Sequence, residues 1–400
     1  MTQKTGAIVA ALLIFVSVCA EESAPRIYSV SPGALAKAKA RFTAMDAALQ
    51  PAFNKLLADA EKALSVKPVS VMDKPKAGPS GDKHDYFSTA PYFWPDPTKK
   101  DGLPYIRKDG QRNPESHNEF SDSPRLGRVA GNAETLAFAF YFTGDEKYAE
   151  HAAKLLRVFF IDAETKMSPN FDYAQAVPGV NTGRGTGMIE SRSLKFCCDA
   201  ASLLEGSKSW SAQDRVGFKQ WMRAFFDWSR TSKNGKDESN AKNNHGTFYD
   251  NQMVHYALFL GETDFAKKTI QAALENRIAA QIKPDGSQPL ELAREDSFGY
   301  SKFNVEAWFA LATLGEHVGV DVLHYETKDG ASVRKALDFL IPYAEDLTKE
   351  WPYERSKKVK HSLQSVLLKA HGAFGGERYL KLYKQGAEWE QARENIFVAQ

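Results

Sequence analysis

The stretch Val333-Arg334-Lys335-Ala336-Leu337-Asp338-Phe339-Leu340-Ile341-Pro342-Tyr343-Ala344-Glu345-Asp346-Leu347 sets the reading of the fold. Val333, Ala336, Leu337, Leu340, Ile341, Ala344 and Leu347 fall on one side of it at helical spacing. That period is the apolar stripe of a helix packed on a core. Working outward, Phe303, Ala307, Ala310, Leu311 and Leu314 repeat it, as do Ala266, Ile270, Ala273, Leu274 and Ile278. So do Leu194, Cys197, Cys198, Ala201 and Leu204, which puts both cysteines on a core face. No sustained alternation of apolar and polar residues points to a large sheet.

The helices come in pairs with short breaks. Thr143-Gly144-Asp145 and Gly261-Glu262-Thr263 read as αα-hairpin turns, one helix stopping at the glycine and the next starting at the Asp or Thr. The expectation is an all-α protein: an α/α toroid, an incomplete barrel of antiparallel helix hairpins with long mouth loops. A helical-repeat scaffold is the rival, although no strict sequence repeat is present. Three stretches read as non-helical: 67–122, 168–187 and 234–247. The first carries Pro75, Pro79, Pro91, Pro95, Pro97, Pro104 and Pro114. Loops of that length in a compact domain are usually functional, and in a toroid they would gather at one mouth.

The 400 residues carry 52 Lys+Arg against 50 Asp+Glu, a net charge of +2. That balance argues against a nucleic-acid reader driven by bulk charge, and the 43% hydrophobic content argues against a disordered chain. Lys4, the apolar run 7–18 and Val18-Cys19-Ala20 read as a secretory signal peptide over 1–20, cleaved after Ala20. Residues 21–400 then form a single exported domain with no membrane span. Cys197 and Cys198 are adjacent, so no disulfide framework is implied.

Four segments could carry chemistry. Asn243-Asn244-His245-Gly246, with Tyr249 after it, offers amides and an imidazole at a helix entrance, where anions bind; the plainer reading is capping. Glu291-Leu292-Ala293-Arg294, with Tyr300 six residues beyond Arg294, offers a guanidinium for a carboxylate and a phenol for proton transfer. His84-Asp85-Tyr86 and Tyr92-Phe93-Trp94-Pro95-Asp96-Pro97 give aromatic walls for sugar rings, or simply a clamped loop. Glu190-Ser191-Arg192 follows a glycine-rich run that lacks the Lys-Ser/Thr of a phosphate loop. No HExxH or GxSxG occurs, and the histidines lack ligand spacing, so neither a metal nor a cofactor is expected.

Together these segments resemble the alginate-lyase-like superfamily of polysaccharide lyases. Tyr92 to Pro97, Gly102-Leu103-Pro104-Tyr105-Ile106-Arg107-Lys108-Asp109-Gly110 and Asn113-Pro114-Glu115 are similar to its N-terminal signature. Asn243-Asn244-His245 is similar to its Asn-His motif, and Leu290-Glu291-Leu292-Ala293-Arg294 with Tyr300 to its Arg…Tyr motif. Family five shares these elements but spaces Arg and Tyr one residue further apart. The long aromatic loop fits family thirty-eight better, which includes glucuronan as well as alginate lyases.

The resemblance implies β-elimination on an anionic uronic-acid polysaccharide. Asn244, His245 and Arg294 would neutralise the uronate carboxylate, and Tyr300 would carry the proton. Tyr92, Trp94, Arg107, Arg192, Asn243, Tyr249 and Glu291 are expected to bind substrate, with Arg112, Arg125 and Arg184 also available at the mouth. The rivals are a glycoside hydrolase using a pair among Asp85, Glu190, Glu291 and Asp296, and a non-catalytic uronan-binding protein.

Overall fold

Paired helices account for most of the architecture in the computed structural model, which describes residues 25–353 and 362–398. The proposed signal segment, 1–20, lies outside the described residues. The Ser123–Thr143 helix stops at Gly144, whose φ of 74° is the left-handed conformation a glycine adopts at least cost. The Asp145 side chain then accepts from Lys147 N at 3.1 Å and starts the Glu146–Phe160 helix. Gly261, at φ 86°, ends the Asn244–Leu260 helix in the same way before Thr263–Ala273. Successive hairpins pack into an α/α toroid around one continuous apolar core. Strand structure among the described residues is confined to short pieces: Phe87–Thr89 runs parallel to Tyr173–Ala176, and Phe93–Trp94 antiparallel to Ile106–Arg107.

The expected stripes pack as read, with corrections at their ends. The Val333–Glu345 helix buries Val333, Ala336, Leu337, Leu340, Ile341 and Ala344. Leu347 lies beyond its end and is 74% exposed. Cys197 and Cys198 are fully buried in the Leu194–Leu203 helix, and burial pushes both thiols far above their ordinary range. The expected stripe from Ala266 to Ile278 widens into a π-turn at Leu274–Ile278. Stretch 234–247 is not a loop. Ser232 caps a short helix, Lys233–Ser239, and Asn243 caps the helix that begins at Asn244. Its low-propensity residues are held by packing: Gly235 sits hard against the Ser229 carbonyl, where a Cβ would collide.

The 67–122 stretch is irregular, as expected, yet it is pinned. Lys74 is fully buried, and its ammonium donates to Val71 O (2.8 Å), Lys83 O (2.7 Å), Asp85 O (3.0 Å) and Asp122 Oδ2 (2.8 Å). One cation thus ties three carbonyls of the mouth loop to the residue preceding the Ser123–Thr143 helix. Removing Lys74 leaves the buried Asp122 with Arg125, at 3.1 Å, as its remaining cation, and breaking one arm of a buried pair costs about 3–5 kcal/mol. Lys74→Ala is therefore expected to lower the unfolding free energy from a urea titration by an amount toward the lower end of that range, and the midpoint with it. A midpoint within the scatter of surface variants would show that the loop is held elsewhere.

Candidate active site

The mouth loops and two helix entrances enclose a cleft of about 660 Å³. Asn244, His245, Arg294 and Tyr300 all line it, although they come from segments 50 residues apart. Asn244 and His245 occupy the first turn of the Asn244–Leu260 helix, and Tyr300 the first turn of the Ser297–Glu316 helix. The latter starts at Ser297, earlier than the apolar stripe from Phe303 suggests, because the Asp296 side chain accepts from Gly299 N at 2.9 Å and caps it. Two positive helix ends therefore meet at the cleft, a field that favours an anion.

The entrance to the first helix is built around Gly246. A Cβ there would collide with the Arg277 guanidinium and the Ala241 carbonyl. Arg277, carried on the π-turn, donates to Ala241 O at 2.9 Å and Ser239 O at 2.9 Å and pairs with Asp250. It locks the turn that presents Asn244 and His245. Asn243 lines the cleft but uses its side-chain oxygen to cap the helix, accepting from His245 N at 3.3 Å.

Each candidate catalytic group is held by a carboxylate or a phenol. Arg294 donates to Asp109 through Nε (2.9 Å) and Nη2 (2.6 Å), a bidentate fork that fixes its plane. That plane lies 3.6 Å from the centre of the Tyr300 ring. The Asp109 carboxyl is held well below its usual range by these Arg294 bonds. The Tyr300 hydroxyl donates to the Tyr92 hydroxyl at 2.9 Å. Burial and then Tyr92 push the Tyr300 phenol up, while Arg294 pulls it down. His245 Nδ1 sits 2.6 Å from Glu238 Oε1, and Glu238 is buried, which leaves Nε2 for the cleft. Asn244 is fully buried. Its backbone N and Nδ2 donate to Glu291 Oε1 and Oε2, each at 2.7 Å.

The remaining expected contacts divide. Tyr92, Arg107, Arg192 and Asn243 line the cleft, with Arg112 and Arg184 beside them. Arg107 reaches Asp109 at 3.0 Å, and Arg184 lies 5.0 Å from the centre of the Phe93 ring. Trp94 does not line the cleft. Its indole donates to Gln111 O at 2.8 Å, and Phe93, its neighbour on the strand, takes the wall, because successive strand residues face opposite sides. Tyr249 is turned into the core, its hydroxyl donating to Ser229 O at 3.0 Å. Glu291 is 1% exposed and stands behind Asn244 rather than on the cleft wall. Arg125 is occupied by Asp122 and the Ser121 and Glu119 carbonyls, away from the cleft.

Sequence reading missed Asp109 and Glu238 as the partners of Arg294 and His245. Glu190 lines the cleft, but its Oε2 accepts from Tyr86 and Ser88 hydroxyls, both at 2.7 Å, and burial pushes its carboxyl up. Among the described residues no cluster of potential metal ligands occurs.

The alginate lyase family model matches residues 70–351, which includes every segment of the cleft. The chain belongs to the alginate lyase family. It is similar to an alginate lyase from Bacteroides ovatus, with 42% identity over 93% of this chain and 99% of that one, and a TM-score of 0.88. Alginate lyase A1-III from Sphingomonas species A1 shares the fold at 14% identity, covering 93% of this chain and 97% of that one, with a TM-score of 0.56. A variant of that enzyme, in complex with a tetrasaccharide, is 15% identical over the same shares of the two chains and gives 0.59. No curated protein matches the chain significantly. As a member of the family the protein is a polysaccharide lyase.

Proposed function

We propose that this lyase is exported and cleaves a β-1,4-linked uronan by syn β-elimination, leaving a 4,5-unsaturated uronate at each new non-reducing end. The observation that carries the reading is Arg294, fixed by Asp109 and laid over the Tyr300 ring at 3.6 Å, beside the Asn244–His245 helix entrance. The proton at C5 of a uronate is weakly acidic until the adjacent carboxylate is neutralised. Arg294, Asn244 and His245 supply a guanidinium, an amide and an imidazole for that carboxylate, and they stabilise the charge that builds there as C5 loses its proton. Tyr300, as phenolate, takes the C5 proton. The electron pair left on C5 forms the C4–C5 double bond, the C4–O4 bond breaks, and Tyr300 returns the proton to O4.

In β-linked mannuronate and glucuronate, H5 and O4 lie on one face of the ring, so a single tyrosine serves both transfers. In guluronate they lie on opposite faces, and a second group is needed. The name of the Bacteroides ovatus relative supports alginate as a substrate, and the single-tyrosine route selects its mannuronate blocks. The resemblance to family thirty-eight keeps glucuronan beside it. A net charge of +2 attracts a polyanion weakly at long range, so Arg107, Arg112, Arg184 and Arg192 would recognise the chain locally. Tyr92 and Phe93 provide the wall on which flat, equatorially linked sugars stack.

The test is a panel of polymannuronate, glucuronan, oxidised cellulose, polyguluronate and pectate, followed by ultraviolet absorbance of the conjugated double bond. Faster cleavage of polymannuronate or glucuronan than of polyguluronate is expected. The reverse order would overturn syn-elimination. On the syn route His245, whose Nδ1 sits 2.6 Å from Glu238 Oε1, presents Nε2 to the substrate carboxylate. His245→Gln keeps a donor, so its loss in kcat on polymannuronate is expected to stay below the ~10²-fold typical of removing such a group. A completely inactive His245→Gln variant would instead mark His245 as the base.

A further inference from the structure

Asn244 poses a problem of donors. It lines the cleft, yet its Nδ2 is committed to Glu291 and its Oδ1 is buried without a hydrogen-bond partner. A carbonyl oxygen repels the carboxylate that Asn244 is meant to bind. The two ends of an amide have nearly the same shape, so a half-turn of the side chain exchanges them at little steric cost. After that turn Oδ1 faces Glu291 Oε2, and the contact is favourable only if a proton lies between the two oxygens. The backbone N–H of Asn244 continues to donate to Oε1, at 2.7 Å, in either state.

We infer that Glu291 is a positioning residue that stands as a neutral carboxylic acid, donating its proton to Asn244 Oδ1 and turning the Asn244 N–H groups toward the substrate. The role rests on the elimination chemistry proposed above. An ionised Glu291 directly behind Asn244 would place a fixed negative charge beside a site that must stabilise growing negative charge. A neutral one satisfies the orphaned oxygen and removes that opposition. The charged and titratable groups around it act in both directions. Arg294 on its own segment and His245 on the Asn244–Leu260 helix favour the anion. Asp109 and Glu238 already engage those two side chains, and Tyr300, on the Ser297–Glu316 helix, lies against Arg294. Glu291 is 1% exposed, and burial pushes its carboxyl up against the pull of the Asn244 donors, Arg294 and His245.

The experiment compares Glu291→Gln, Glu291→Ala and the wild type on polymannuronate, with infrared spectroscopy of the full-length protein. A glutamine keeps the arrangement: its Nε2 donates to Asn244 Oδ1 and its Oε1 accepts from Asn244 N. It is expected to restore kcat to within about threefold of the wild type, whereas alanine loses about 10²-fold, the scale of one misplaced donor. The Gln-to-wild-type ratio of kcat/KM should hold or rise with pH, because only the wild type loses its neutral acid as pH rises. The infrared spectrum of the wild type should show a protonated carboxyl band at neutral pH that Glu291→Gln lacks. A Gln variant as impaired as the Ala variant, a ratio that falls with pH, or no such band would overturn the inference. If the Ala variant fails to fold, the Gln variant and the infrared band decide alone. The band is read without turnover, so its absence is distinguishable from failure of the lyase mechanism itself.

Discussion

Tyr300→Phe is expected to abolish turnover while leaving oligosaccharide binding almost unchanged. The substitution removes one oxygen. The ring that lies 3.6 Å from the Arg294 guanidinium remains, so the carboxylate-binding fork is undisturbed. What disappears is the hydroxyl, now bonded to Tyr92 at 2.9 Å, that on the proposed route takes the C5 proton and returns it to O4. A single general acid or base contributes about 10²–10⁴-fold. Here one group does both, so the loss in kcat should reach the upper end of that range, about 10⁴-fold, with little change in KM. Because burial and Tyr92 push the phenol up, the phenolate fraction of the free wild-type enzyme grows as pH rises. The wild-type kcat/KM should therefore increase from neutral toward alkaline pH, and the Phe variant should show no such increase. Substantial kcat in a folded Tyr300→Phe enzyme would remove Tyr300 from the proton path.

Arg294→Ala carries the second large effect, and it should fall on both constants. On the proposed route the guanidinium meets the substrate carboxylate in the ground state, so KM should rise. It would also stabilise the charge that grows during C5 deprotonation, so kcat should fall about 10²–10³-fold. Asp109 is the complication. Its carboxyl is now held well below the ordinary range by Arg294, and without that partner it keeps only the exposed Arg107, at 3.0 Å, as a cation. Arg294→Lys separates the two causes. Lysine restores a charge for Asp109 but cannot make the planar two-point contact. Recovery of KM without recovery of kcat is the expected pattern for Lys. A near-normal rate for the Ala variant would mean that the carboxylate is neutralised by other groups.

Helix periodicity made the toroid legible, because burial of one stripe per helix leaves a mark at every third or fourth position. The turns at Gly144 and Gly261 were legible for the same local reason, a left-handed backbone that glycine adopts most easily. Asn244, His245, Arg294 and Tyr300 were legible by residue type and motif order, and the fold brings them to one cleft. Their partners were not. Asp109 stands before a glycine in a loop and reads locally as a turn residue. It meets Arg294 across 185 positions of sequence. Glu238 lies in a stretch of Lys, Asn, Gly and Asp that reads as loop, and only tertiary packing shows it as a helix with a buried carboxylate facing His245. Trp94 and Phe93 could not be ranked before the strand pairing that decides which of two neighbours faces the cleft was known. Tyr249 was misplaced because proximity to a motif says nothing about which side of a buried helix a residue occupies.

The central claim is elimination rather than hydrolysis, and the new chain ends decide it. Wild-type enzyme should be incubated with polymannuronate and the products examined by proton NMR. Elimination predicts an olefinic proton at C4 on every newly formed non-reducing end, appearing in step with new reducing ends and disappearing in Tyr300→Phe. New reducing ends accompanied by saturated rings with a free hydroxyl at C4 would show that water had cleaved the bond, and would contradict the mechanism.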